Sequence, residues 1–228
     1  MKRTVFLSIA FLALAILAFV GLVRNEPVNA FSPERFSTEI NLSQEDRSGE
    51  YTFDKNHSVI GFRIKHMGLV DIPGYFRDFT GTINYDANDI SKSSVDFKAQ
   101  MTSVDTGVTN RDNHLRTKDF FEVETYPDMT FKSTKVEKQG NNFVVTGDLT
   151  MKGVTKQISF PFQLAGFAVN QRGGVVMGVV AETALNRRDF NVTYGGNLPN
   201  GTPTLADNVT VILQIEAGKK QAPKPAAE

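Results

Sequence analysis

The three histidines are the side chains in this chain best suited to hold a metal ion. His57, His66 and His114 could supply three imidazoles with one open coordination position, which is chemically adequate for hydrolysis. The spacing argues against this site, because His57 and His66 fall nine residues apart in one predicted strand region, roughly 30 Å if fully extended. We therefore predict structural hydrogen bonds for the histidines. Suitable partners are the carboxylates of Asp54, Asp105 and Asp119.

Basic side chains form a second group that could bind a ligand. They could gather at one opening of a binding site and meet a phosphate or quinone head group. Each also has an aspartate nearby in sequence, so the alternative, which we favour, is that they pair with carboxylates and hold a cap in place. The cations are Arg111, Arg116, Lys118, Arg187 and Arg188, and the aspartates are Asp112, Asp119 and Asp189.

Composition narrows the function classes further. Eighteen Phe, five Tyr and no Trp favour an apolar interior over a polar catalytic cleft. The net charge of zero gives no support for nucleic-acid binding or for a polybasic membrane mode. Without cysteine there is no thiolate nucleophile, and the chain contains no phosphate loop or nucleophile elbow. We predict no enzyme activity, no catalytic residue, no metal ion and no cofactor.

The segment 104–131 interrupts the strand pattern and is predicted to cap one end of a sheet. Asp112 is a plausible N-cap for a short helix over Asn113–Phe120, and Tyr126-Pro127 would end any helix. Apolar side chains of this cap would face the sheet. The predicted cap and mouth residues are Arg111, Asp112, His114, Leu115, Asp119, Phe120, Phe121 and Arg188.

Period-two alternation elsewhere predicts eight strands. Their centres lie at 60–64, 79–85, 95–101, 129–133, 143–151, 158–164, 177–185 and 209–215. No helical stretch is long enough to cover the sheet, so its apolar face must close on itself. The fold class is all-β, a single eight-stranded antiparallel barrel with a short helical cap.

Strand parity selects the residues that face the interior. Small residues on this face, such as Gly81 and Gly147, either leave room for a ligand cavity or fit the taper of a packed barrel; the pattern leaves both open. The predicted cavity wall consists of Phe62, Phe79, Phe97, Phe131, Phe143, Phe160 and Phe162, with Met101, Met151 and Met177 as adaptable filler.

The sequence divides into four predicted regions. Residues 1–30 form a signal peptide or membrane anchor with an apolar run at 5–23, either cleaved after Ala30 or retained in the inner membrane. Residues 31–49 form a flexible linker, 50–217 the barrel domain and 218–228 a disordered tail. We expect a periplasmic protein, soluble or anchored.

Several sequence blocks resemble the YceI-like family, in the same order along the chain. They are DKNHSVIGFRIKHMG at 54–68, VDT at 104–106, RDNHL at 111–115, DFF at 119–121, YPDMTF at 126–131, GDLTMKGVT at 147–155 and NRRDF at 186–190. The resemblance implies an extended lipocalin-like barrel, exported to the periplasm. It also implies a long-chain lipid ligand: a polyisoprenoid, an isoprenoid quinone or a fatty-acid derivative.

Three functions follow as hypotheses. The first is a carrier that hides a lipid in a Phe-lined cavity, as a monomer or a homodimer. The second is a surface-tethered interaction module with a filled barrel. The third is a histidine-dependent metal hydrolase.

Overall fold

Eleven β-strands and one α-helix make up the computed structural model, which describes residues 42–43, 47–140 and 142–221. The predicted signal or anchor, most of the linker and the last residues of the tail lie outside these ranges. The elements are β1 (Gly49–Phe53), β2 (Val59–His66), β3 (Val70–Phe76), β4 (Phe79–Tyr85), β5 (Ser94–Gln100), β6 (Val104–Asp105), α1 (Thr109–Arg116), β7 (Asp128–Gln139), β8 (Asn142–Met151), β9 (Val154–Val169), β10 (Val175–Asn186) and β11 (Leu205–Lys219). Within the described ranges, no helix has the length and apolar character needed to cross a membrane.

Antiparallel pairing closes these strands into a barrel. Going round the sheet, β1 is followed by β4, β5, β7, β8, β9, β10 and β11, and β11 pairs again with β1. The remaining strands are β2, β3 and β6. Strand β2 follows β1 and, like β1, pairs with β11; β3 pairs with β2, and β6 pairs with β3. The molecule is therefore the predicted eight-stranded barrel, with three of its long strands interrupted once.

The interruption between β1 and β2 is fixed by side chains of the connecting turn. The Asp54 carboxylate accepts a hydrogen bond from the Asn56 amide and lies 2.9 Å from Nδ1 of His57. Ser58 donates its hydroxyl to the Glu216 carbonyl and accepts from the Glu216 amide. The Asp54–His57 contact agrees with a structural role for this histidine.

The cap helix begins earlier than the sequence suggested. It spans Thr109–Arg116, its N-cap is Val108 without a side-chain bond, and Asp112 lies in its first turn. The prediction that Asp112 is the N-cap is therefore wrong. Its buried carboxylate accepts instead from the backbone amide and the hydroxyl of Thr106, which precedes the helix. The chain from 117 to 125 is a series of turns. The end of the barrel covered by this segment is called the cap end, and the opposite one the far end.

Strand β9 changes partner along its length. Val154 to Phe162 pair only with β8, and Gln163 to Val169 pair only with β10. Among the described residues, no backbone pairing joins the first half of β9 to the cap-end half of β10. We call this gap in the ladder the seam. A shallow outer cavity of about 260 Å³ lies there, bordered by Ser159, Ala184 and the buried Phe190.

The far end is filled by aromatic rings and by residues placed in the predicted linker. Tyr51 and Tyr85 pack on Phe167, and the Arg47 guanidinium lies 5.6 Å from the centre of the Phe167 ring. Burial raises the pKa of Tyr51 to about 12, and its hydroxyl donates to the Arg47 carbonyl. The barrel thus includes residues from 47 onward. At the other boundary, β11 runs to Lys219, two residues into the predicted tail.

Candidate ligand site

An apolar cavity of about 410 Å³ occupies the barrel interior. This volume lies within the usual range for small-molecule sites. Its wall is drawn from most of the long strands and from the cap. The predicted wall residues that line it are Phe62, Phe97, Phe131, Phe160, Phe162, Met151 and Met177. The structure brings these side chains together around one space, so the barrel is not simply filled.

Three predicted wall residues lie outside the cavity. Phe79 and Met101 are buried, but they sit where β4 begins and where β5 ends, and at these interruptions they pack into the wall. Phe143 stacks on Phe162 with ring centres 5.6 Å apart, and only Phe162 reaches the cavity. Strand parity identifies the face of the sheet, but it does not give the depth along the barrel axis.

Other lining residues were missed. Phe53, Ile72 and Phe76 lie on β1 and β3, which the alternation pattern did not reveal as strands. Further aliphatic residues share the inward parity of predicted strands and could have been selected by the same rule. They include Ile60, Ile64, Ile83, Leu149, Ile158, Leu164, Val179, Val211, Leu213 and Ile215.

Glycines on the wall let aromatic rings lie close to the sheet. A Cβ atom at Gly74 would come within 2.2 Å of the Phe62 ring, and one at Gly147 within 2.5 Å of the Phe131 ring. Gly81 lies under Phe53 in the same way. The small residues therefore serve the cavity indirectly, because rings placed over them leave the centre of the barrel open.

The cap covers the cavity with apolar side chains. Leu115, Phe120 and Phe121 all line it, and Phe121 packs on Phe76 with ring centres 5.8 Å apart. His114 lies edge-on to Phe120 at 5.1 Å and to Tyr194 at 4.9 Å. Its Nε2 is 2.9 Å from the Asp119 carboxylate, so Asp119 positions His114 and does not itself line the cavity.

Polar groups of the cavity lie mainly at the cap end. Thr106, Arg111, His114 and Arg187 line it there, and His66, the last residue of β2, lines the cavity as well. The expected Arg–Asp pairing between Arg111 and Asp112 is not what holds the cap. Arg111 donates instead to the hydroxyl and carbonyl of Thr106, at 2.7 and 2.8 Å.

Arg116 also uses backbone oxygen. Its guanidinium donates to the carbonyls of Thr102 and Val104, each at 2.8 Å, and to the Asn113 side chain. The prediction that arginine–aspartate pairs fasten the cap is therefore wrong for Arg111 and Arg116. Guanidinium-to-carbonyl bonds hold the cap segment on β6 and the turn before it.

Arg188 was predicted to be a residue of the cap and mouth, but Arg187 lines the cavity instead. Arg187 is 4% exposed and donates to the carbonyls of Ala206, Val192 and Tyr194 at 2.9, 2.7 and 2.8 Å. Burial, with a contribution from Arg188, lowers the pKa of Arg187. Arg188 lies outside the cavity and binds the Asp207 carboxylate. The sequence gives the two arginines side by side, without a signal that separates their roles.

The histidines are not assembled into one metal site. Within the described ranges, the group with metal-binding geometry is Asp54, His57 and Glu216, whose ligand atoms lie within 4.8 Å of one another. It is on the outer surface, where acidic groups commonly lie together without an ion. His66 and His114 line the cavity instead. The Asp54 carboxylate, with help from Glu216, raises the pKa of His57.

Comparison with known proteins finds relatives both by sequence and by structure. Protein YceI of Escherichia coli O6:H1 is 40% identical over 147 residues, which cover 64% of this chain and 77% of that protein. The crystal structure of Campylobacter jejuni YCEI protein shares 33% identity with a TM-score of 0.59, covering 74% of this chain and 96% of that one.

Two further solved structures share the fold. Burkholderia cenocepacia BcnA superimposes with a TM-score of 0.64 at 25% identity, over 72% of this chain and 98% of that one. A polyisoprenoid binding domain from Saccharophagus degradans gives a TM-score of 0.57 at 16% identity, over 75% and 98% of the two chains. The family model for the YceI-like domain matches residues 51–217. With its barrel, cap and cavity in that range, the chain belongs to the YceI-like domain family.

Proposed function

We propose that this protein binds and carries a long-chain lipid in the barrel cavity. The observation that supports it is the cavity itself, which is lined along its length by aliphatic and aromatic side chains. Burial of each methylene group contributes about 0.8 kcal/mol, so a chain of roughly ten carbons has ample driving force without specific polar contacts. Among the described residues, the wall consists mainly of apolar side chains, which favours binding over catalysis.

The ligand class is drawn from the family and from the shape of the site. The Saccharophagus degradans domain of the same fold is described as polyisoprenoid binding. We propose an isoprenoid, either a polyisoprenoid or an isoprenoid quinone, or else a fatty-acid derivative. The apolar N-terminal run supports export to the periplasm, with the lipid taken up from or delivered to an envelope membrane.

Mass spectrometry of an organic extract tests this proposal. The full chain is expressed with export and purified from the periplasmic fraction without detergent, or from the membrane fraction in a detergent that is itself not extracted. We expect one long-chain species at close to one molecule per protein. A folded protein with no lipid would contradict the carrier function and favour the interaction module.

A variant pair connects the lipid to the cavity. Phe97→Asp places a charge on the wall and should abolish lipid retention, because the carboxylate would face hydrocarbon. Phe143→Asp is the matched control, since Phe143 is also a half-buried strand residue but lies outside the cavity. Normal lipid content in folded Phe97→Asp protein would argue against the assigned site.

A further inference from the structure

Arg111 is a cation on the wall of an apolar cavity, with donors left over. A guanidinium has five N–H donors, and Arg111 uses Nε and Nη2 to bind Thr106. Among the described residues, no carboxylate lies within ion-pair distance of it. The remaining N–H groups therefore have no acceptor from this part of the chain.

Other basic side chains at the cap end donate to acceptors that the protein itself supplies. Arg187 is surrounded by backbone carbonyls, and Arg188 is paired with Asp207. His114 is bound to Asp119 through Nε2. Arg116 also has no carboxylate partner among the described residues, but it does not line the cavity, and all three of its guanidinium nitrogens donate to oxygens of the chain. Among the arginines that line the cavity, Arg111 thus differs in having contacts that orient the guanidinium and leave Nη1 without an acceptor from the described part of the chain.

The orientation of Arg111 is fixed by a short relay. The Thr106 hydroxyl accepts from Arg111 Nε and donates to the Asp112 carboxylate, which also accepts the Thr106 amide. Asp112 is 7% exposed, so this support is buried. A guanidinium held in one place loses little conformational entropy when it binds an anion, and it can offer two parallel N–H donors.

We propose that Arg111 binds the oxyanion head group, a carboxylate or a phosphate, of the carried lipid. The tail then extends from the cap end toward Ile90 and Tyr85, which line the cavity near the far end. His66 and His114 line the same cavity. The inference deepens the proposed carrier function and rests on it. A neutral lipid would leave the guanidinium facing hydrocarbon, whereas an anion replaces the lost water contacts with charge-assisted hydrogen bonds.

Paired ligands that differ only in the head group test this inference. Purified full-length protein is stripped of lipid and titrated with cis-parinaric acid and with its methyl ester, following their fluorescence. Geranylgeranyl phosphate and geranylgeraniol form a second pair, measured by calorimetry. We expect the wild type to prefer the anion in at least one pair, and the pair with the larger preference identifies carboxylate or phosphate.

Variants assign the preference to Arg111. Arg111→Met should weaken binding of the preferred anion about 10- to 100-fold and leave the neutral partner nearly unchanged. Arg111→Lys should keep part of the preference, because it retains the charge but not the fork of donors. Arg188→Met, a cation at the same end outside the cavity, is the control and should behave as wild type.

The outcomes separate this inference from the carrier function. Equal binding of anion and neutral lipid by the wild type overturns the head-group site and leaves the carrier function standing. An unchanged preference in folded Arg111→Met and Arg111→Lys protein overturns the assignment to Arg111. Failure of the wild type to bind any of the four ligands overturns both.

Discussion

Neighbouring arginines in the turn after β10 have very different surroundings. Arg187 is enclosed and donates to three carbonyls at 2.7–2.9 Å, with longer contacts of 3.4 Å to the Leu205 carbonyl and the Asp207 carboxylate. The Arg188 side chain is 44% exposed, and its guanidinium binds Asp207 only. A buried charge contributes little net stability when fully satisfied, but removing it leaves its partners without donors. The two positions therefore allow a controlled comparison.

We expect Arg187→Met to lower the free energy of unfolding by about 3–5 kcal/mol, because three carbonyls lose their donor at once. Arg188→Met should cost about 1 kcal/mol or less, as expected for an exposed ion pair. Urea denaturation followed by circular dichroism measures both. Similar midpoints for the two variants would show that the carbonyl cage around Arg187 is not a major source of stability.

At the scale of elements, the turn between β1 and β2 depends on Asp54 and His57. Their contact raises the pKa of His57 and lowers that of Asp54. A histidine with a raised pKa stabilises the fold below its unfolded value, about 6.5, and this stabilisation is lost as the pH rises through the folded pKa. For Asp54 the stabilisation is present above about 3.8 and is lost as the pH falls through the folded pKa.

The pair is therefore fully effective between about pH 4 and 6.5. We expect the NMR titration midpoint of His57 to lie above about 6.5 and to fall in Asp54→Asn, which removes the charge but keeps the turn acceptor. Asp78→Asn, which removes a different exposed carboxylate, bound to Lys55, should leave the midpoint unchanged. A midpoint insensitive to Asp54→Asn would mean that Glu216 dominates.

The long elements were predictable, and the interrupted ones were not. Strands such as β8 and β10 show alternation over ten or more residues, so their faces can be assigned from the sequence. Strand β3 carries Pro73 and Gly74, which are typical of turns, and its inward face was missed with Phe76 on it. The cap helix was displaced because the sequence does not show whether Asp112 bonds forward to helix amides or back to Thr106.

The site was predictable to the same degree. Most of the aromatic wall follows from strand parity, which is a local property. The special position of Arg111 depends on which acceptors surround each cation. For Arg187 they are backbone carbonyls of residues 192–206, and for Arg111 they are the hydroxyl and carbonyl of Thr106. These contacts span only 5 to 19 residues, but the path of the intervening loop decides which carbonyl faces which guanidinium, so they have no signature in residue spacing.

At the scale of the whole molecule, backbone hydrogen bonding between neighbouring strands differs around the circumference of the barrel. Strand β8 pairs with a neighbour on both sides from Phe143 to Thr150, but no residue of β9 does so. We expect hydrogen exchange to reveal this difference. Amides throughout β8 should be protected, while about half of those between Val154 and Phe162 should exchange quickly, because they point across the seam.

Two-dimensional NMR after transfer to deuterated water resolves these amides individually. The β9 amides that donate to β8 serve as the internal control and should be protected. Uniform protection along Val154 to Phe162 would show that the seam is closed in solution. Rapid exchange throughout β8 as well would indicate general opening of the barrel, not a local gap.

The seam also bears on how wide a ligand the barrel can hold. A ladder that is continuous all round fixes the girth of a barrel, because widening it breaks hydrogen bonds. Here β9 and β10 can move apart at the cap end without the loss of one backbone bond, since no bond joins them there. At the cap end of β9 and β10, the width of the barrel is therefore set by side-chain packing, including that of the buried Phe190, and not by backbone hydrogen bonds.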